Sequence, residues 1–278
     1  MEEQKYHIEE NTVQETLVIP LYGKKCCAEK YPQFFKDPAA EELFQKIDYD
    51  WSGMKDNFIT RFGVVESGMR AKDLAIEIRD YLALHPEATV VNLGAGLDDM
   101  KARVDNGRAL FYNLDYPDVI KLREELMPQG EREVHLAVDL NNHAWMKEVE
   151  FDPEKGIVFV ASGVFYYFTT EDMKALLTAM EEVFPGGKIC FDTGNSFAKK
   201  VMIKNYLQGA NMSIGAFFCV DDPAVLKGWM NHSTVSERGY MTGYEPLDQT
   251  MPFLYRILGK LADGKKFRLR IIRIDFAS

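Results

Sequence analysis

From Thr89 onward the chain alternates short apolar segments with helical patterns, and this alternation constrains its fold more than any other feature. Such an alternation is typical of a parallel β-sheet whose strands are joined by crossover helices. Strands are predicted over residues 89–93, 109–114, 133–138, 157–161 and 188–192. The sequence therefore predicts an α/β fold with a doubly wound sheet.

The composition of individual segments predicts where each strand lies in that sheet. Residues 157–161, with the sequence IVFVA, are continuously apolar, as expected for a central strand covered on both faces. Residues 133–138 alternate polar and apolar side chains, which is typical of an outer strand. Residues 267–276 alternate basic and apolar side chains, so we expect a half-exposed, antiparallel strand near an edge.

Helical segments surround the predicted sheet. Thr169 and Asp172 predict a capped helix start, and residues 69–84 predict the helix that leads into the first strand. Residues 11–60 contain Pro20, Pro32 and Pro38 and predict a cap of short helices. We predict one domain over residues 1–278, with residues 1–68 as a helical cap or lid. Residues 193–250 predict an apolar helix around 197–207, followed by mixed loops.

Charge and composition exclude several classes of partner. The net charge of -10 leaves no long basic track for a nucleic-acid backbone. No apolar run approaches the roughly 18 residues of a membrane span, and residues 1–15 are too polar for a signal peptide. The four cysteines form no CxxC pair, so we expect free thiols in a reducing compartment and no metal site. A cytoplasmic protein is predicted; its oligomeric state stays open.

The segment VVNLGAGLDD, residues 90–99, carries the main chemical information. Glycines that follow a strand at the carboxyl edge of a parallel sheet let the backbone approach a ligand closely. Asp115 follows the second strand, about 20 residues after Gly94, where dinucleotide folds place the carboxylate that accepts ribose hydroxyls. The spacing therefore predicts a nucleoside site built from Gly94, Gly96 and Asp115.

Two classes of cofactor compete for this site. A dinucleotide needs a third glycine, and this chain has Asp99 in its place with Asp98 beside it. Two carboxylates at a phosphate site would repel the ligand, whereas S-adenosylmethionine carries no phosphate and has a positive sulfur. The alternative is that the two aspartates begin a solvated helix, which is the better interpretation for Asp99. The pattern favours S-adenosylmethionine and leaves a nicotinamide dinucleotide open.

Four segments carry a resemblance to a known family: VVNLGAGLDD, NLDYPDVIKLREELMP, AVDLNNHAWMKEV and VFVASGVFYYFTTEDMKALL. In this order and spacing the chain resembles the leucine carboxyl methyltransferase family, and within it the tetracenomycin-type polyketide O-methyltransferases. The resemblance runs from about Glu15 to Asp192. It implies a Rossmann-like, seven-stranded methyltransferase sheet with an N-terminal helical cap, and S-adenosylmethionine as cofactor.

The resemblance also implies roles for individual residues. Gly94 and Gly96 would lie under the cofactor, Asp115 would hold its ribose, and Asp139 with Leu140 would bind its adenine. An acid that accepts the exocyclic amine, next to a backbone amide that faces the ring, is suitable chemistry for adenine.

At the amino-acid end of the cofactor, the resemblance implies that Arg70 pairs with the methionyl carboxylate, a task that suits a planar guanidinium. Lys24 would assist, with a solvated surface lysine as the alternative. Two departures from the family pattern stand out. Asp99-Met100 replaces a threonine–arginine pair, and Ser162 replaces a glutamate that helps to hold the amino-acid end.

The predicted function is methyl transfer from S-adenosylmethionine to a carboxylate or hydroxyl oxygen of a small molecule. Tyr167, in the aromatic run after the fourth strand, is the candidate catalytic residue and pocket wall; His143 is expected to be a surface residue. Three alternatives remain: a non-catalytic binding relative, suggested by Ser162, a protein-carboxyl methyltransferase, and an NAD(P)-dependent oxidoreductase.

Overall fold

The computed structural model describes residues 5–8, 15–53, 57–202, 218–245, 247 and 249–278. Within these ranges the helices are α1 Glu15–Lys30, α2 Pro38–Lys46, α3 Phe58–Leu84, α4 Met100–Val104, α5 Pro117–Leu126, α6 Thr170–Val183, α7 Ser196–Met202, α8 Ala224–Lys227 and α9 Phe253–Asp263. The strands are β1 Tyr6–His7, β2 Ile47–Asp48, β3 Thr89–Leu93, β4 Leu110–Asp115, β5 Glu133–Ala137, β6 Ile157–Ala161, β7 Lys188–Thr193, β8 Thr234–Gly239 and β9 Arg270–Asp275. Short 3₁₀ turns span Trp51–Gly53, His143–Lys147 and Phe165–Tyr167.

The described residues form a seven-stranded sheet with the order β5-β4-β3-β6-β7-β9-β8. Strands β3 to β7 run parallel to one another, and β9 lies between β7 and β8, antiparallel to both. From β3 the chain builds outward through β4 and β5, and then crosses back to β6 on the other side of β3. The predicted α/β, doubly wound, seven-stranded fold is confirmed. A crevice where the strand order reverses is the usual ligand site of such sheets.

The central strand is buried because helices cover both faces of the sheet. Every residue of β6 is at most 1% exposed. Val158 packs on one face with Leu74 of α3, and Phe159 packs on the other with Leu177 of α6. The predicted capping box is present at the start of α6, where Thr169 and Asp172 exchange hydrogen bonds.

The N-terminal segment packs over the carboxyl edge of the sheet. Its helix α1 is 16 residues long and continues through Pro20, so it is longer than the predicted short helices. Leu21 of α1 and Leu43 of α2 share an apolar cluster with Leu97, which follows β3, and Leu122 of α5. This cluster anchors α1 and α2 directly above the glycine turn.

The C-terminal third differs most from the sequence-based expectation. The mixed loops predicted around Pro223, Gly239 and Pro246 are wrong for residues 234–239, which form β8 and pair with β9 as an edge strand. Val235 is the one buried residue of β8, so its sequence gives little apolar pattern. The last strand, β9, is antiparallel and next to the edge strand, as expected. It is less exposed than expected, because β8 covers its edge and Ile271, Ile272 and Ile274 are fully buried. Helix α7 begins where predicted; residues 203–207 of that prediction lie outside the described residues.

Other features bear on the expected partners. In the described part of the chain, no helix has both the length and the apolar character needed to cross a membrane. The same residues contain no group of three histidine, cysteine or acidic side chains arranged for a metal ion. The four cysteines are unpaired, and Cys26, Cys27 and Cys190 are buried.

Candidate active site

The glycine turn after β3 holds a backbone shape that other residues rarely adopt. Gly94 and Gly96 have φ values of 63° and 49°. A Cβ on Gly94 would lie 2.5 Å from the Val164 side chain, and one on Gly96 would lie 2.9 Å from Leu17 of α1. Glycine is therefore required at both positions, for conformation and for space. The turn is closed by a 3.0 Å hydrogen bond from the Ala95 amide to the carbonyl of Leu114.

Asp115, at the end of β4, reaches into this turn. One carboxylate oxygen accepts a 2.8 Å hydrogen bond from the Gly96 amide, and the other accepts one of 2.8 Å from the Tyr116 amide. Burial raises the pKa of the Asp115 carboxyl, while the two backbone amides act in the opposite direction. A carboxylate has about four acceptor positions, so two remain for hydroxyl donors in the cleft.

Arg123 of α5 binds the carbonyl groups of the glycine turn. This role was not predicted from the sequence. Its guanidinium donates to the carbonyls of Gly96 at 2.9 Å and Asp98 at 2.8 Å. The residue is 1% exposed, and Glu133 lies 3.6 Å from it. Burial lowers the pKa of Arg123, against the effect of Glu133. This buried arginine satisfies two turn carbonyls that no neighbouring strand reaches.

Asp98 belongs to a cluster of four charges, in which Lys24 and Asp37 are buried and Asp98 and Arg103 are partly exposed. Lys24 of α1 and Arg103 of α4 both hydrogen-bond to its carboxylate. Asp37 completes the cluster, 3.2 Å from Arg103 and 3.9 Å from Lys24. Although burial acts to raise the pKa of the Asp98 carboxyl, Arg103 and Lys24 hold it well below its usual range. Lys24 is 6% exposed, so the alternative of a solvated surface lysine is wrong.

This arrangement corrects the charge argument drawn from Asp98 and Asp99. The negative charge of Asp98 is matched by Lys24 and Arg103, so it presents no free carboxylate to a ligand. Asp99 is the N-cap of α4 and accepts a 3.0 Å hydrogen bond from the Ala102 amide, as the helix-start interpretation expects. Repulsion of phosphate by these two residues is therefore not a valid reason to exclude a dinucleotide.

One side of the cleft carries Val138, Leu140 and Asn141, which follow β5, and the half-exposed ring of Tyr116, which follows β4. Asp139, expected to contact adenine, is exposed and is not among the residues that line the cleft. Its carboxylate accepts the Asn141 amide at 2.9 Å and hydrogen-bonds to the Tyr116 hydroxyl. Asp139 thus sits at the rim, where it orients Tyr116.

The end of β6 forms the opposite side of the cleft. Ser162 and Gly163 line it, and the guanidinium of Arg70 reaches it from α3. Arg70 donates a 3.1 Å hydrogen bond to Asp192, at the end of β7, and the Tyr166 hydroxyl donates to the same oxygen at 3.1 Å. Neither the role of Asp192 nor that of Tyr166 was predicted from the sequence.

Tyr167 lies at the mouth of the cleft, where it is 43% exposed. Its hydroxyl hydrogen-bonds to Thr16 of α1, so it links the N-terminal helix to the end of β6. His143 lies in the 3₁₀ turn after β5, is partly exposed and does not line the cleft.

Together these residues line a cleft of about 320 Å³, at the lower end of the roughly 300–1,000 Å³ that small-molecule sites occupy. It lies at the carboxyl ends of β3, β4 and β6, where the strand order reverses. With the exception of Asp139, the predicted site residues line it: Lys24, Arg70, Gly94, Gly96, Asp115, Leu140, Ser162 and Tyr167.

Comparison with known proteins identifies the family. A sequence profile described as leucine carboxyl methyltransferase matches residues 24–181. The chain belongs to this family. It is also similar to the tetracenomycin polyketide synthesis O-methyltransferase TcmP of Streptomyces glaucescens, with 30% identity over 185 residues. That match spans 65% of this chain and 65% of the length of TcmP.

Two solved structures share the fold of this leucine carboxyl methyltransferase family member. A DUF574 family protein from Streptomyces avermitilis aligns with a TM-score of 0.55 and 11% identity, over 91% of this chain and 96% of that protein. The plantazolicin methyltransferase BpumL, crystallised with a monoazolic desmethylPZN analog and SAH, aligns with a TM-score of 0.50 and 11% identity, over 95% and 99% of the two chains. At this identity the similarity concerns the fold alone.

The two departures from the pattern of the leucine carboxyl methyltransferase family lie at the cleft. Met100 is buried at the start of α4, and the cation beside the turn is supplied one helical turn later by Arg103. Ser162 lines the cleft, so the residue that replaces the family's glutamate is within reach of a ligand.

Proposed function

We propose that this chain is an S-adenosylmethionine-dependent O-methyltransferase whose acceptor is a small molecule. The observation that carries the proposal is the buried Asp115 carboxylate, which is fixed by two backbone amides and still has acceptor positions available at the floor of the cleft. Family membership and the similarity to TcmP support the same reaction.

The residues present fit the cofactor. Asp115 would accept the ribose hydroxyls, and Gly94 and Gly96 would allow the adenosyl group to lie directly on the backbone. Tyr116 and Leu140 would contact adenine, an assignment that moves Asp139 from a contact residue to a rim residue. When bound, S-adenosylmethionine supplies an electrophilic methyl group on a positively charged sulfur.

The chain itself positions the acceptor and shields the cleft from water. Helix α1 lies over the turn through Leu17, and Thr16 ties it to Tyr167, so the described cap residues limit the access of water to the cleft. Methyl transfer requires a collinear approach of the acceptor oxygen, and fixing that geometry supplies much of the rate acceleration. Tyr167, at the mouth, would orient the acceptor.

The acceptor best suited to this cleft is a carboxylate. Among the described residues that line the cleft, the acids are Asp98 and Asp115. Asp98 is paired with Lys24 and Arg103, and Asp115 is held by two amides, so neither is placed as a general base. A carboxylic acid is ionised above about pH 5 and needs no base, whereas a phenol, with a pKa near 10, does.

A nicotinamide dinucleotide is the less favoured ligand. Its fingerprint requires a third glycine, where helix and strand pack around the pyrophosphate. That position is held by Asp99, whose side chain is used to cap the five-residue helix α4.

The proposal is tested with labelled S-adenosylmethionine and paired acceptors. Aromatic polyketide-type acids are offered beside their methyl esters, which retain the phenols but lack the free carboxylate. We expect the labelled methyl group in a newly formed methyl ester of each acid, with a rate of methyl transfer that changes little between about pH 6 and 9. Label found only on phenols would overturn carboxylate selectivity. Binding of S-adenosylmethionine without turnover of any acceptor, peptide C-termini included, would indicate a non-catalytic relative.

A further inference from the structure

Replacement of the family's glutamate by Ser162 leaves the end of β6 without a carboxylate, but the next strand supplies one. Asp192 lies near the end of β7, which pairs with β6 in parallel register. Its side chain is 1% exposed, behind the residues that line the cleft. A buried acid in this position needs a reason, because an ionised carboxylate away from water must be compensated by donors or cations.

The hydrogen bonds of Asp192 connect it to both cleft-lining groups at this end. One carboxylate oxygen accepts the Gly163 amide at 2.6 Å, and the other accepts the Arg70 guanidinium at 3.1 Å. Gly163 has a φ of 73°, and a Cβ built on it would lie 3.5 Å from both terminal nitrogens of Arg70. Asp192 therefore fixes the turn after Ser162 and the arginine that packs on that turn.

The charges around Arg70 do not cancel. Glu66, one helical turn earlier on α3, lies 3.7 Å from the same guanidinium nitrogen that donates to Asp192. Burial acts to lower the pKa of Arg70, but Glu66 and Asp192 raise it well above its ordinary value. Tyr166 and Tyr240, whose hydroxyls donate to Asp192 and Glu66, add no charge because burial raises their pKa values. One cation and two carboxylates leave a net negative charge.

A net negative charge beside an arginine suits the amino-acid end of the proposed cofactor. That end carries a carboxylate, which a guanidinium binds in a bidentate manner, and an ammonium, which needs negative charge nearby. The family resemblance implies a glutamate at position 162, which would provide that charge within the cleft. Here the nearest buried carboxylate behind Ser162-Gly163 is that of Asp192.

We propose that Asp192, on the strand next to β6, is a positioning residue that takes the place of the family's glutamate; this inference rests on the proposed function. It holds Arg70 and the Gly163 backbone in place for the amino-acid end of the cofactor and supplies the negative charge that Ser162 lacks. Selectivity for ligands with an intact amino-acid end follows from Asp192 and not from Ser162.

The test compares S-adenosylhomocysteine with methylthioadenosine, which keeps the adenosyl group and the sulfur but lacks the amino-acid end. In calorimetric titrations, Asp192→Asn should weaken S-adenosylhomocysteine binding by about tenfold to a hundredfold, since Arg70 loses the charged partner that holds it and the negative charge behind Gly163 is removed. Methylthioadenosine binding should be unchanged. Asp275→Asn is the matched control, because Asp275 is exposed on β9 at the other end of the sheet.

Two further variants keep the inference falsifiable. Ser162→Glu combined with Asp192→Asn should recover most of the S-adenosylhomocysteine affinity. Ser162→Glu alone, which leaves Asp192 in place, should gain less than about threefold, because the charge is already present. A gain of tenfold or more from Ser162→Glu alone would overturn the inference even if Asp192→Asn did not fold.

The other outcomes are equally distinct. Wild-type affinity of Asp192→Asn for S-adenosylhomocysteine would overturn the inference, and so would an equal loss for both ligands, which would indicate a structural role only. If the wild-type chain bound neither adenosyl ligand, the proposed function itself would be wrong. If the wild type bound both ligands and only the Asp192→Asn results differed from expectation, the role of Asp192 alone would be wrong.

Discussion

The buried side chain of Asp73 predicts how the stability of this protein depends on pH. Asp73 lies on α3, is fully buried, and neither of its carboxylate oxygens has a hydrogen-bond partner among the described residues. Burial raises the pKa of this carboxyl from 3.8 to about 8; Lys72 lowers the pKa by a smaller amount, and Glu245 raises it further. At neutral pH the folded protein therefore keeps Asp73 protonated, whereas the unfolded chain ionises it.

The sign of the effect follows from proton binding. Between about pH 4 and 8 the folded state holds one more proton at Asp73 than the unfolded state, so the free energy of unfolding falls as pH rises. Each pH unit in this interval costs about 1.4 kcal/mol. At pH 7 the accumulated cost is roughly 4 kcal/mol, a large part of the stability of a typical domain.

Asp73→Asn removes the titration and keeps the shape. We expect the variant to be more stable than the wild type at pH 7, with an advantage that shrinks toward zero near pH 4. Thermal unfolding measured from pH 5 to 8 should show the difference in Tm growing by about 3 °C for each pH unit. Asp80→Asn, an exposed position on the same helix, is the control and should show no such trend. A difference that stays constant across this range, or a less stable variant at pH 8, would refute the reasoning.

Two further predictions concern the glycine turn and its support, and a third concerns the cap of α6. Gly94→Ala should abolish S-adenosylhomocysteine binding in calorimetry, because the new Cβ would meet Val164 at 2.5 Å. The control is Gly107→Ala, which also has a positive φ, of 80°, but has open space around it and should keep the affinity. Equal affinities for the two variants would contradict this prediction. Arg123→Met should lower the free energy of unfolding by about 2–5 kcal/mol and weaken S-adenosylhomocysteine binding about tenfold, since the carbonyls of Gly96 and Asp98 lose their donor. A variant with wild-type stability and affinity would show that Arg123 does not support the turn. Thr169→Ala should cost about 1 kcal/mol in chemical denaturation through loss of the N-cap, with unchanged binding; no loss of stability would show the cap to be dispensable.

The parts of the fold that the sequence predicted are those with a local cause. Strand β6 is recognisable because all five of its residues are apolar, and α6 because its capping box lies within four residues. Strand β8 has one buried side chain, Val235, and exists because β9 offers it an antiparallel partner. No pattern within its own six residues indicates that partner.

The candidate site divides in the same way. The glycine turn and Asp115 are predictable, since spacing along the chain places them at one edge of a parallel sheet. Asp192 and Arg70 meet across 122 positions, and Lys24 reaches Asp98 across 74. These pairings depend on how α1 and α3 pack on the sheet, so the charge of Asp98 was misjudged and the role of Asp192 was missed.

The central claim is that the cleft beside Gly94 and Gly96 binds an adenosyl group through Asp115. The direct measurement is the dissociation constant of S-adenosylhomocysteine for the wild type and for Asp115→Ala, with Asp118→Ala as the exposed neighbouring control. Loss of two charge-assisted hydrogen bonds predicts at least about a hundredfold weaker binding for Asp115→Ala, near-native binding for Asp118→Ala, and no binding of NAD(P)H by the wild type. Undiminished affinity in Asp115→Ala, or a wild type that binds NAD(P)H instead, would contradict the account.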